Sequence, residues 1–157
     1  MKIRIRPIRA DFLVRVRRDG RDDLGQPVER RVAEGGEPCR DALRRALPGE
    51  ALILASYCPF SLPGPYREYG PVFVLAQASA EPVALDRLPL PTGLSTDYLG
   101  PQFVLRAYDS REQIAGAVLS TPAACHADLA QLLALPDVEF LLLRFPAHGC
   151  YALRLDR

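Results

Sequence analysis

Fifteen prolines divide this chain into short segments, and their positions restrict its fold more than any other feature of the sequence. Proline has no backbone N–H to donate and clashes with the preceding helical turn, so it is excluded from helix interiors and central strands. Residues 58–71 contain four prolines and two glycines, and this segment is therefore predicted to be an irregular loop. Residues 80–100, rich in proline and leucine, are predicted to wrap the surface without regular structure.

Between these breaks, alternating or mostly apolar segments of strand length predict a β-rich fold. The predicted strands cover residues 2–6, 13–17, 28–33, 50–57, 72–76, 102–108, 114–120, 138–145 and 150–155. One helix is predicted over residues 38–47, where apolar side chains recur at helical spacing after Pro38, and a second from Thr121 to about residue 135. Short connections without a strand–helix–strand rhythm favour the α+β class, with a mainly antiparallel (mixed) sheet of about six to eight strands and two helices.

The length of 157 residues predicts a single domain over residues 1–157. The formal net charge of +1 conceals an asymmetry, since residues 1–47 hold 13 basic and 8 acidic side chains and the remainder holds 7 and 11. The basic part contains one aromatic residue, Phe12, and so lacks the stacking surface that single-strand binders use. Nucleic-acid binding is therefore disfavoured, because arginines on the wet faces of antiparallel strands explain the same pattern.

No apolar segment has the length of a signal peptide core or a membrane span, since the longest uninterrupted runs have five residues. We therefore expect a cytoplasmic protein without membrane contact. The four cysteines are scattered and form no Cys-x-x-Cys pair, which favours free thiols over disulfides or a zinc ribbon. The motifs of phosphate-binding loops, dinucleotide sites, zinc proteases and serine hydrolases do not occur, and neither a metal nor another cofactor is expected.

Two cysteines are candidates for thiol chemistry. His148 and Cys150 are two residues apart, so in an extended segment both side chains point to one face and form a Cys–His pair. Cys39 lies near the start of the first predicted helix with Arg40 beside it, a setting that is expected to lower the pKa of the thiol. The alternative for each is a small apolar side chain in the core, and the sequence leaves open whether the protein is an enzyme.

A second group of candidates combines arginines with aromatic residues. Tyr66, Arg67 and Glu68 lie in the proline-rich loop, where a rigid backbone suits a binding site. Arg106 and Tyr108 share one face of the predicted strand 102–108, Asp109 follows directly in the turn, and Arg144 lies near the end of another predicted strand. If these faces meet, the three arginines form an anion-binding cleft with Glu68 and Asp109 as ion-pair partners. The alternative is a set of structural salt bridges that brace the loop.

The sequence PYREYGPVFV at residues 65–74, with residues 38–40, 56–60, 105–109 and 149–151, resembles a bacterial family of unknown function, domain of unknown function 1203. The resemblance covers nearly the whole chain and implies a single-domain, soluble bacterial protein without an established activity. Relatives often carry cysteine or histidine where this chain has Ala42, Leu75 and Ser79. If those residues bind zinc in relatives, most of the ligands are missing here, so the resemblance does not carry a metal site over.

These observations together favour a non-enzymatic domain that binds a small anionic ligand or a protein partner through the arginine and tyrosine side chains. A thiol-dependent enzyme that uses Cys150 or Cys39 with His148 is the alternative from a different class. A degenerate zinc-site domain is a further alternative that the resemblance suggests.

Overall fold

Residues 3–157 are described by a computed structural model, in which they form ten strands and two helices. The α+β class is confirmed, and the strands are divided between two five-stranded sheets rather than gathered in one. Residue 2, the first of the predicted strand 2–6, lies outside the described residues. The elements are β1 (Arg4–Arg6), α1 (Ala10–Arg18), β2 (Glu29–Val32), β3 (Pro38–Cys39), β4 (Arg44–Arg45), β5 (Ala51–Tyr57), β6 (Gly70–Leu75), β7 (Phe103–Asp109), β8 (Ile114–Ser120), α2 (Cys125–Leu133), β9 (Val138–Arg144) and β10 (Tyr151–Asp156).

The first sheet has the strand order β1-β10-β9-β7-β8, and all its neighbours are antiparallel. Val104 of β7 pairs with Arg144 of β9, and Arg106 pairs with Leu142. Because side chains alternate along a strand, Arg106 and Arg144 lie on the same face of this sheet as diagonal neighbours.

The second sheet has the order β2-β5-β6-β3-β4 and contains one parallel pair, in which Cys39 of β3 lies opposite Phe73 of β6. Leu54 of β5 also pairs with Phe73. One face of this sheet packs towards the first sheet, and the other carries Leu54 and Phe73 and is only partly covered.

The hydrophobic core is arranged in layers around the first sheet. Helix α2 covers one of its faces, where Leu129 and Leu132 pack on strand residues such as Leu105 and Leu143. Helix α1 and the second sheet cover the opposite face. Burial of apolar area in these two layers supplies most of the driving force for folding.

Three aromatic side chains join the layers on the α1 side. The ring of Phe12 in α1 lies 4.8 Å from that of Tyr57 at the end of β5, and Tyr57 lies 5.0 Å from Tyr151 at the start of β10. The Tyr151 hydroxyl donates to the carbonyl of Pro7 at 2.8 Å. We call Phe12, Tyr57 and Tyr151 the aromatic junction, because it connects a helix and both sheets.

The predicted strand over residues 13–17 is wrong, since these residues belong to α1. The segment fits both periods, but a strand places Val14 and Val16 on one face, whereas the structure buries Phe12 and Val16 and leaves Val14 exposed. Spacing of four residues is that of a helix face, and packing against the second sheet selects it.

The predicted helix over residues 38–47 is also wrong. Only one helical turn forms, in which the Leu43 amide donates to the Cys39 carbonyl at 2.9 Å. Cys39 and Pro38 instead form β3, which pairs with β6, and the turn leads directly into β4. The apolar residues at helical spacing are side chains that a tight turn between two short strands buries. Pairing of these strands in the sheet therefore overrides the local periodicity.

The second helix is confirmed in shortened form, with Cys125 buried and His126 exposed. Thr121 closes the turn before it, since its side-chain oxygen accepts from the Ala124 amide at 3.2 Å. Both proline-rich segments lack regular structure, as predicted, although β6 begins at Gly70, just inside the first of them. Neither helix within the described part of the chain is long and apolar enough to span a bilayer.

Many N-terminal arginines pair with carboxylates rather than forming one free basic surface. Arg9 and Arg15 both bind Asp23, whose side chain is 7% exposed, and Arg17 binds Asp41 at 2.7 Å. Asp23 also accepts from the Cys58 amide at 2.7 Å, so it ties α1 to the end of β5. The local positive charge of residues 1–47 therefore contributes to the attachment of α1.

The burial pattern of α1 predicts opposite effects for its two valines. Val16→Ala should lower the free energy of unfolding by about 2 kcal/mol, because buried methyl groups are lost and a cavity remains. Val14→Ala, at a position that is 54% exposed, should change it by less than about 0.5 kcal/mol. Urea denaturation of both variants measures this, and equal losses would contradict the helix, because a strand places both side chains on one face.

Candidate functional site

Two arginines converge on the ring of Phe145, which follows β9. The guanidinium carbon of Arg40 lies 5.2 Å from the ring centroid and that of Arg45 lies 5.4 Å from it. Arg40 follows β3, and Arg45 lies in β4 on the other side of the 41–43 turn. Buried Tyr98 supports the ring from a further side with a centroid distance of 5.4 Å. Both arginine–ring distances are within the range of cation–π attraction.

Arg40 is held inside the protein by backbone carbonyls and not by a carboxylate. Its Nε donates to the Tyr151 carbonyl at 2.9 Å and its Nη1 to the Pro38 carbonyl at 2.8 Å. The residue is 3% exposed, and no ion pair of Arg40 occurs among residues 3–157. Burial lowers the pKa of its guanidinium, and the neighbouring positive charge of Arg45 lowers it further.

Arg45 is likewise bound through carbonyl groups. Its Nη1 donates to the Gly36 carbonyl at 2.7 Å and its Nε to the Asp97 carbonyl at 3.1 Å. Glu37 is close in sequence, but its carboxylate accepts from the amides of Glu34 and Gly35 at 2.7 and 3.0 Å. Within the described residues, neither Arg40 nor Arg45 has a carboxylate partner.

Both arginines line a cleft of about 720 Å³. Its walls come from the 35–45 segment, the partly covered face of β5 and β6, residues 100–102, and the loop between β9 and β10. Apolar side chains predominate among the lining residues, which are Gly35, Gly36, Glu37, Pro38, Arg40, Arg45, Leu54, Pro71, Phe73, Gly100, Pro101, Gln102, Phe145, Pro146, Ala147, His148 and Cys150. We call this the Arg40 cleft.

A smaller cavity of about 180 Å³ adjoins the Arg40 cleft and shares Pro71, His148 and Cys150 with it. It is lined by Arg144 of β9 and by Glu68 of the proline-rich loop, which form an ion pair. The two residues belong to separate elements that meet where the second sheet packs on the first.

Arg106 joins this pair, since its Nη1 lies 3.9 Å from the Glu68 carboxylate. Of the three arginines predicted to form one cleft, Arg106 and Arg144 therefore lie together at Glu68, and Arg67 does not join them. Arg144 is 5% exposed, and its Nη1 donates to the Gly149 carbonyl at 3.0 Å. A positive φ of 70° at Gly149 lets the β9–β10 loop turn back towards Arg144.

The other predicted binding residues lie elsewhere. Arg67 is exposed and donates to the Tyr69 hydroxyl at 3.3 Å, and Tyr66 is 43% exposed on the same loop. Tyr108 is buried in the core, with its ring 5.2 Å from that of Phe140, so it is no part of either cavity lining.

Asp109 does not pair with the arginines of the predicted cleft. Its carboxylate accepts from the amides of Arg111 and Gln113, both at 2.9 Å, and so stabilises the turn between β7 and β8. An aspartate that bonds to amides two and four residues further along the chain is typical of tight turns. This role explains its position at the end of the strand.

The cysteine candidates differ sharply in environment. Cys39 lies in β3 and not at a helix N-terminus, and burial raises the pKa of its thiol to about 12, so the expected lowering is wrong. Cys150 is half-buried and lines both cavities together with His148. Its Sγ lies 3.6 Å from the His148 backbone carbonyl, to which the thiol donates.

All four cysteines are free thiols, as predicted. In the part of the chain from residue 3 onwards, no three side chains of His, Cys, Asp or Glu are grouped as metal ligands would be.

Arg45, Phe73 and Phe145 are not singled out by the sequence, and Arg40 is marked there only as a cation beside Cys39. Their convergence depends on contacts between distant segments, such as the bond from Arg40 to Tyr151 across 111 positions of the chain. A weak local signal exists for Arg45. Neighbouring side chains of a strand point to opposite faces, so one of two adjacent arginines faces inward if residues 44–45 are extended.

The fold and the two cavities described above define an α+β protein in which an arginine-lined cleft opens beside the junction of two sheets. The chain belongs to the family described as "Protein of unknown function (DUF1203)", whose model matches residues 36–157. No curated protein and no solved structure matches the chain. The matched region contains every residue that lines the smaller cavity and all but Gly35 of those that line the Arg40 cleft, whereas β1, α1 and β2 precede it.

Exposure and pKa together predict that Cys150 reacts first with alkylating agents. Cys39, Cys58 and Cys125 are buried, and burial raises the pKa of each thiol, to about 12 for Cys39 and to about 11 for Cys125, so at pH 8 all three remain protonated. Iodoacetamide treatment of the folded protein should therefore give one rapid adduct, which peptide mass spectrometry locates. Cys150→Ser should remove it, and a first adduct on Cys39 would contradict the prediction.

Arg44, next to Arg45, fixes β4 from its outer side. Its Nη1 and Nη2 donate to the two carboxylate oxygens of Glu50, both at 2.8 Å. This bidentate pair lowers the pKa of Glu50 from its ordinary value of 4.5 to about 2. The ion pair on one side of β4 thus positions Arg45 on the other side, in the cleft.

The lowered pKa of Glu50 predicts a pH-dependent contribution to stability. Because the carboxyl is more acidic when folded, its contribution is complete above pH 4.5 and is lost as the pH falls towards 2. In urea unfolding at a series of pH values, the stability difference between wild type and Glu50→Gln should shrink across this interval. A constant difference would contradict the assignment, and Glu139→Gln, at an exposed position of β9, controls for the loss of one negative charge.

Proposed function

We propose that this protein binds a small anionic ligand with an apolar body, and that the Arg40 cleft is the binding site. The observation that carries the proposal is the pair of guanidinium groups on one face of the cleft without a carboxylate partner among the described residues. Other arginines in the fold, such as Arg17 and Arg44, have such partners.

The energetics of buried charge support this proposal. Removing a charged group from water is costly unless a charge or several hydrogen bonds compensate for it. Arg40 donates hydrogen bonds to two carbonyl oxygens, and its Nη2 makes no hydrogen bond to a described residue. A carboxylate or phosphate in the cleft supplies the missing counter-charge and offers acceptors to both Arg40 and Arg45.

The shape and composition of the cleft support a ligand with an apolar part. A volume of about 720 Å³ is typical of small-molecule sites, which combine apolar walls with a few polar groups. The rings of Phe73 and Phe145, with Leu54 and several prolines, supply those walls. An inorganic ion alone would leave most of this surface uncovered.

A thiol-dependent reaction is the second candidate function, and the observation that favours it is the position of Cys150 and His148 in the lining of both cavities. The thiol donates to the His148 carbonyl at 3.6 Å. Activation of Cys150 needs the imidazole itself, or another base, as proton acceptor. Binding needs no contribution from the thiol, so Cys150→Ser should retain ligand affinity if the first proposal is correct.

The role of Arg45 is tested with benzoate, phenylacetate and phenyl phosphate as probes in isothermal titration calorimetry at low salt. At least one probe should bind, and Arg45→Gln should weaken it about tenfold, the effect of losing one charge-assisted hydrogen bond. Arg45→Lys keeps the charge without the guanidinium geometry and should give an intermediate affinity.

Arg111→Gln is the matched control, because it removes the same charge from a side chain that is 76% exposed and outside the cleft. Absence of binding for all three probes, or equal weakening in Arg45→Gln and Arg111→Gln, would overturn the proposal. Unfolding temperatures of each variant show whether lost affinity follows from lost structure.

A further inference from the structure

We infer that the smaller cavity is a second anion subsite, in which Glu68 occupies the place of a ligand carboxylate. The ligand of the Arg40 cleft then carries two anionic groups, one for Arg40 and Arg45 and one for Arg144. This inference rests on the proposed function and specifies its ligand class as a dicarboxylate, or a carboxylate with a phosphate.

Arg144 is the fixed part of this subsite. It is 5% exposed, its Nη1 donates to the Gly149 carbonyl at 3.0 Å, and its Nη2 pairs with Glu68. Its Nε is buried and has no hydrogen-bond partner in the described chain. A buried guanidinium with an unused N–H is under-satisfied, and a planar carboxylate or a phosphate can bind Nε and Nη2 together.

Glu68 is the displaceable part. Its side chain is 46% exposed whereas that of Arg144 is 6% exposed, so the carboxylate is the partner that reaches water more easily. Glu68 lies in the loop between β5 and β6 and belongs to no strand. When Glu68 moves into solvent its carboxylate gains hydration, and the cost of the move is that Arg144 and Arg106 are left as two cations without a carboxylate. A ligand anion that replaces Glu68 removes that cost.

Pro71, His148 and Cys150 line both cavities, so the two cavities adjoin along these residues. A single molecule can therefore extend from Arg45 to Arg144 along the apolar surface of Pro71. Its displacement of Glu68 would couple binding to movement of the proline-rich loop.

The test compares linear dicarboxylates (succinate, glutarate, adipate and pimelate) with monocarboxylates of the same chain length, by calorimetry on wild type and Glu68→Gln. At least one dicarboxylate should bind more tightly than its monocarboxylate. Glu68→Gln should raise that dicarboxylate's affinity about tenfold, because the competing charge is removed.

Glu81→Gln is the matched control, since Glu81 is a 66% exposed partner of Arg44 and lines neither cavity. Equal affinities for dicarboxylates and monocarboxylates, or no gain in Glu68→Gln, would overturn the second subsite. Failure of the proposed function would give a different result, namely monoanion binding whose affinity does not depend on Arg45.

Discussion

The contact of Tyr57 with Phe12 and Tyr151 determines how the layers of this protein meet. Each ring comes from a different element, and all three are buried. Fixing Tyr151 at the start of β10 also fixes Cys150 before it, and fixing Tyr57 at the end of β5 sets where the proline-rich loop begins. Both cavities lie beside these residues, so the geometry of the site depends on aromatic packing.

Arginine side chains have two kinds of partner in this fold. On the surface and around α1 it pairs with carboxylates, as Arg17 does with Asp41. At the cleft, Arg40 rests on an aromatic ring and bonds to main-chain carbonyls. A guanidinium is more weakly hydrated than an ammonium and stacks on rings, so it tolerates this environment where lysine would not. The arginine-rich composition therefore says little about function until partners are known.

The hydrophobic pattern of the sequence predicts those elements whose buried side chains recur with a single clear period. The strands over residues 50–57 and 114–120, and the loop that separates β5 from β6, agree closely with the structure. Residues 13–17 fit two periods, and only packing of Phe12 on Tyr57 distinguishes them. The sequence names Glu68 and Arg144 as possible ion-pair partners only on the condition that their segments meet, and the structure supplies that contact. The contact of Arg40 with Phe145 was not predictable, since it joins segments about 100 residues apart in sequence and no local rule specifies it.

The family match begins at residue 36, yet the described chain before it contributes an edge strand to each sheet and the helix that carries Phe12 of the aromatic junction. Without those residues, the rings of Tyr57 and Tyr151 would face solvent, and β10 and β5 would become open sheet edges. Such surfaces promote association between chains. A family member with an unrelated N-terminal segment must therefore protect the same rings and edges by other means, through a different local segment or a partner subunit.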